Sequence, residues 1–283
     1  MKKKRTFLII FSAVACVASV IARYAQFNAA IDFDTGFFYY DAVFLKYLYY
    51  IILGASIAGV FFLAVTEKKR KTRFFTKKMG HFDETDVALC GIMFLLAAFS
   101  VLYTAYVAGF GSVGAAGIMT GLLGAAAYGF SGAVLLIRKR VLPAVGLSFL
   151  GLSVYYVIRL IHFFLENYII LHMSEYLIRL VTTTLLALFY LSAGRMLLRA
   201  ENRTTRFKAC VFGFSAAILI LSETVAKLIY WFGSPSIARQ TLSSSKFLLP
   251  NTQTAAEAIA LITFLLCAAR YRPERVKNGG ETN

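Results

Sequence analysis

Long apolar runs separated by short, basic connections dominate the chain. Eight such runs are read, at about residues 6–24, 44–65, 86–108, 113–137, 142–165, 173–196, 207–231 and 253–270. Each is close to the roughly 20 residues needed to cross about 30 Å of hydrocarbon. An unpaired strand in lipid would leave backbone N–H and C=O groups without partners, so each run is predicted to be an α-helix. The expected fold is therefore an all-α, polytopic integral membrane protein with eight transmembrane helices. It forms one helical bundle over residues 1–283, with no soluble domain.

Composition narrows the alternatives. Of 283 residues, 59% are hydrophobic and 16% charged, with a mean hydropathy of +0.69. Soluble domains carry about 25% charged residues, so this chain cannot hide its apolar surface in an aqueous core. Disordered, collagenous and disulfide-scaffold classes are excluded as well. Cys16, Cys90, Cys210 and Cys267 fall inside the apolar runs without paired spacing. They read as reduced, small apolar side chains. Met1 to Arg5 followed by an apolar run resembles a signal peptide. The run continues to Ile21 without a polar cleavage region, which predicts an uncleaved first span.

The net charge of +16 first suggests a nucleic-acid partner. Its placement argues otherwise. With the N-terminus in the cytoplasm, 23 of the 30 Lys and Arg fall on the cytoplasmic side, and every cytoplasmic connection is basic. The acids divide equally, so the whole net charge lies on that side. Positive-inside topology and attraction to anionic headgroups account for it. No nucleic acid is expected. Both termini are predicted to be cytoplasmic, in the cytoplasmic membrane of a bacterium.

Three further patterns bear on packing. Tyr39, Tyr40, Tyr47, Tyr49 and Tyr50, with Tyr230 and Trp231, suggest an aromatic belt at the outer interface. Gly114, Gly117, Gly121, Gly124, Gly129 and Gly132 repeat at helical spacing along the fourth run. Such a stripe lets a helix approach closely, either inside the bundle or at an oligomer face. Arg23-x-x-Gln26-Phe27 and Arg159-x-x-His162-Phe163 end the first and fifth runs alike, which raises a four-plus-four tandem repeat.

The candidate chemistry is a set of ionisable residues in the outer half of the spans. Arg159, His162 and Glu166 share one face of the fifth helix, and His172, Glu175 and Arg179 one face of the sixth. Glu223 and Lys227 form an i, i+4 pair on the seventh. Glu257 lies one turn inside the eighth, and Arg23 and Gln26 end the first on the same side. A charge at the bilayer centre costs about 2.5–3.5 kcal/mol on insertion scales, so these groups face one another, water or a ligand. Arg159, Arg179 and Lys227 would balance Glu175, Glu223 and Glu257.

His162, Glu166, His172 and Glu175 are metal-capable residue types, but no metal-ligand spacing is present and no metal is predicted. Asp32 to Gly36 lacks the full calcium-loop pattern and reads as a turn. No hydrolase, phosphate-binding or zincin motif occurs, and no cofactor is called for. The expected ligand-binding residues are Arg159, His162, Glu175, Arg179, Glu223, Lys227 and Glu257. They would bind, or transport, a small charged or zwitterionic solute or a lipid headgroup. A membrane-embedded enzyme acting on a lipid or envelope precursor, and a structural or assembly subunit, are the alternatives.

Overall fold

The computed structural model of the chain describes residues 2–30, 39, 42–69, 84–107, 114–139, 141–167, 174–198, 204–233 and 252–270. These residues form eight helices and no strand. They are α1 (Lys2–Ala29), α2 (Val43–Lys69), α3 (Glu84–Val107), α4 (Gly114–Arg138), α5 (Pro143–Asn167), α6 (Ser174–Leu197), α7 (Thr205–Gly233) and α8 (Thr252–Arg270). The first seven are long and apolar enough to cross a membrane, whereas the apolar part of α8, Thr252–Ala268, is shorter. The result is an all-α, multi-pass membrane protein.

The surface of α1 shows the solvent for which the bundle is built. Phe7, Ile10, Val14, Val17 and Ile21 recur at helical spacing and are all exposed. The opposite stripe, Leu8, Ser12, Ala15, Ser19, Ala22 and Gln26, is buried. Large apolar groups face outward and polar ones inward, which is stable in hydrocarbon and not in water.

Helix α7 is the hub. It packs against α1, α2, α6 and α8, and α8 closes onto α3. Consecutive helices run antiparallel, so the C-terminal ends of α1, α5 and α7 share one end of the bundle with the N-terminal ends of α2 and α8. Gln26 on Leu45 and Lys46, and Arg159 on Glu257, are contacts at that end. The core between α3, α4, α5, α6 and α8 is aromatic. Phe94 stacks on Phe149 with centroids 5.6 Å apart, and Phe264 sits edge-on to Phe149 at 5.1 Å.

The glycine stripe of α4 divides between two neighbours within the chain. A Cβ at Gly132 would lie 2.8 Å from the Gly91 carbonyl oxygen, and one at Gly121 would lie 2.8 Å from the Ala105 Cβ on α3. Gly124 instead makes room for the Tyr155 ring of α5, at 2.6 Å. Gly146 and Gly194 give α5 and α6 a similar backbone approach. These contacts serve close packing inside the bundle. At the far end of α4, Lys139 adopts φ 48° and donates its N–H to the Leu135 carbonyl, ending the helix before Pro143 opens the next.

Candidate functional site

The ionisable residues gather into two centres at the same end of the bundle. At 1.5 Å per residue, Arg23, Arg159 and Glu257 lie about 9, 12 and 8 Å inside the nearer ends of their helices, and Glu223 about 15 Å.

The first centre joins α5 to α8. Arg159 Nη1 is 2.7 Å from Glu257 Oε1. The same oxygen accepts Gln253 Nε2 at 2.8 Å and the Tyr155 hydroxyl at 3.5 Å. Tyr155 in turn accepts Arg159 Nη1 at 3.3 Å and Gln253 Nε2 at 2.8 Å. The spacing of Tyr155 to Arg159 and of Gln253 to Glu257 is one helical turn, which puts each pair on one face. The Arg159 guanidinium also lies over the rings of Tyr155 and Tyr156, 5.9 Å from each centroid. Deeper in the bundle the Tyr128 hydroxyl joins those of Tyr156, at 2.7 Å, and Tyr190, at 3.1 Å. Glu257 is 1% exposed, and Tyr128, Tyr156 and Tyr190 are fully buried.

The second centre lies where α1, α2 and α7 meet. Arg23 Nε is 2.8 Å from Glu223 Oε1, and Lys227 Nζ is 3.5 Å from Glu223 Oε2. Arg23 Nη1 donates to Gln26 Oε1 at 2.7 Å, and Gln26 Nε2 reaches the Leu45 and Lys46 carbonyls of α2. Phe27 and Tyr49 flank the Arg23 guanidinium at 4.7 and 5.2 Å from their centroids, where its charge gains cation–π attraction. The Tyr49 hydroxyl bonds Ser222 Oγ at 3.1 Å. Arg23 is fully buried, while the side chains of Glu223 and Lys227 are 18% and 17% exposed. The carboxylate therefore faces a buried cation on one side and an accessible one on the other.

Of the residues expected from sequence, Arg159 and Glu257 meet in the first centre, and Glu223 and Lys227 in the second. His162 is half-buried on α5, one turn beyond Arg159. Arg179 is exposed, with its guanidinium 4.9 Å from the Phe163 centroid. The side chains of Glu166 and Glu175 lie outside the described residues, as do His172 and Asp32 to Gly36. Tyr49 departs from the aromatic-belt expectation. It is fully buried and serves the second centre, whereas its neighbour Tyr47 is 56% exposed. Sequence reasoning placed Arg23 and Gln26 at the right end but left them out of the charge balance, and it missed Tyr155 and Gln253. Both of these stand one turn from an acid or base on their own helix, which is a legible signal.

Compared with known proteins, the chain matches no family model, no curated protein and no solved structure.

Proposed function

We propose that the protein binds, and carries across a bacterial cytoplasmic membrane, a small charged or zwitterionic solute, using the Arg23–Glu223–Lys227 centre. In this reading both termini are cytoplasmic, α8 is the eighth span, and the two centres lie toward the outer face. The basic connections favour contact with anionic headgroups on the cytoplasmic side. Support for an eighth span comes from the course of α8 along α5, from Glu257 at Arg159 to Phe264 at Phe149.

One observation carries the reading. Glu223 shares its two oxygens between two cations, and it does so within a span while 18% exposed. A solute anion can take Lys227, a solute cation can take Glu223, and neither exchange uncovers the buried Arg23 charge. A tightly locked ion pair offers no such exchange.

The test is thermal unfolding of the purified protein in nanodiscs. The probes are a neutral amino acid, a dicarboxylate, a phosphomonoester and a quaternary amine. At least one should raise the unfolding temperature of the wild type and leave Glu223→Gln unmoved. A ligand at 100 times its Kd stabilises by about 2.7 kcal/mol, which is well within reach of the measurement. If no probe shifts the wild type, and if Glu223→Gln with Lys227→Met restores a stability that each single change removes, the centre is a structural pair and the reading fails.

A further inference from the structure

The contacts of α1 with α7 fix a parallel register. Arg23 meets Glu223, Phe27 clusters with Ala226, and Ala22 clusters with Leu219. One stripe of α7, Ser215, Leu219, Ser222 and Ala226, therefore faces α1 and α2. The facing stripe of α1 carries Ser12, Ser19 and Arg23.

In this register the four serines interleave. Ser12, Ser215, Ser19 and Ser222 follow one another at steps of three or four residues, about 4.5–6 Å along the axis, and lead up to Glu223. All four are buried, Ser19, Ser215 and Ser222 completely. The hydroxyls of Ser12, Ser19 and Ser215 have no hydrogen-bond partner.

That is unusual within this molecule. Among the described residues the other buried serine hydroxyl without a partner is Ser100 on α3, whereas Ser56, Ser131, Thr182 and Thr184 turn back onto the carbonyls of Ile52, Ala127, Ile178 and Leu180 in the preceding turn. Such a bond was open to each of the three serines and is not made. A buried polar group without a partner costs about 1–3 kcal/mol, and three along one seam ask for an explanation. Water supplies it. Two O–H···O bonds of about 2.7–2.8 Å each match the axial step from one serine to the next. Buried waters of this kind make two to four hydrogen bonds to groups that otherwise lack them.

We infer that the seam between α1, α2 and α7 holds a file of ordered waters, bridged by Ser12, Ser215, Ser19 and Ser222 and ending at Glu223. The file brings ordered water to the inner side of the carboxylate. It stands whether or not a solute binds above it.

Radiolytic hydroxyl-radical labelling of the wild-type protein in nanodiscs tests the inference, because radicals made from bound water mark the side chains beside it. Leu219 and Leu152 are both fully buried, one on the seam and one in the aromatic core. Tyr49 and Phe149 form a second pair of the same kind. The seam residue of each pair should label several-fold more than its core counterpart. Ser19→Val with Ser215→Val should bring Leu219 down to the level of Leu152, while exposed Phe232 keeps its label. Equal labelling of Leu219 and Leu152 in the wild type would overturn the file. So would a rise in unfolding temperature in Ser19→Ala with labelling unchanged, since that is the behaviour of a dry, unsatisfied hydroxyl.

Discussion

Glu257 gives one oxygen to three donors, whereas Glu223 divides its two oxygens between two cations. The residue types are the same and the surroundings differ. Around Glu257, Gln253 and Tyr155 bond to each other as well as to the carboxylate, and stacked rings close the space beneath. Around Glu223 one side is partly open, and the seam below carries hydroxyls without partners. A carboxylate with all its neighbours engaged fixes how α5 and α8 dock. One held by two separable charges keeps its place when either is lent to another group. Under the proposed function, the first centre clamps and the second exchanges.

The largest expected effect tests the clamp. Arg159→Met leaves Glu257 buried without its cation and should lower stability by about 3–5 kcal/mol, with most of that recovered in the double variant with Glu257→Gln. Thermal unfolding of the four proteins in nanodiscs would measure it. Arg23→Met should cost less, about 1–3 kcal/mol, because Lys227 still neutralises Glu223. If the two losses came out equal, the distinction between the centres would collapse.

Hydroxyl deletion gives a finer contrast. Tyr155→Phe removes an oxygen that contacts Arg159, Gln253 and Glu257, and about 1 kcal/mol should be lost. Tyr49→Phe should cost about 0.6 kcal/mol, the average for an interhelical hydrogen bond in a bilayer, because Ser222 keeps its bond to the Leu219 carbonyl. The smallest effect on stability belongs to Lys227→Met, within about 0.5 kcal/mol for a part-exposed pair. That variant should nonetheless abolish any stabilisation by an anionic probe.

The helices could be read from the sequence because an apolar run of span length has few alternatives in lipid. The end of the bundle that holds the charges was legible for the same reason, since each helix reverses the one before it. Partner choice was not. The charges of α5 and α6 were grouped by helix face, and that grouping does not single out Glu257 on α8, 98 residues further along the chain, as the partner of Arg159. Which face of α5 meets which helix depends on where Gly124 admits the Tyr155 ring and where Gly146 and Gly194 bring two backbones together. Those are shape decisions spread over three helices, and no single segment encodes them. Tyr49 was misread because Tyr47 and Tyr50 beside it fit an interfacial belt, and only the rotation of α2 sends Tyr49 inward.

The inward stripe of α1 has a consequence for how the chain is made. Arg23 enters the membrane with the first helix, and its carboxylate partner lies 200 residues later. At about 5–20 residues per second, synthesis takes roughly 10–40 s to reach Glu223. Through that interval Gln26 can already hold α1 to α2 through the Leu45 and Lys46 carbonyls, and Arg23 can reach the headgroups with its long side chain. The polar face of the first hairpin is thus turned toward a helix that has not yet been translated, and the arrival of α7 supplies its partner.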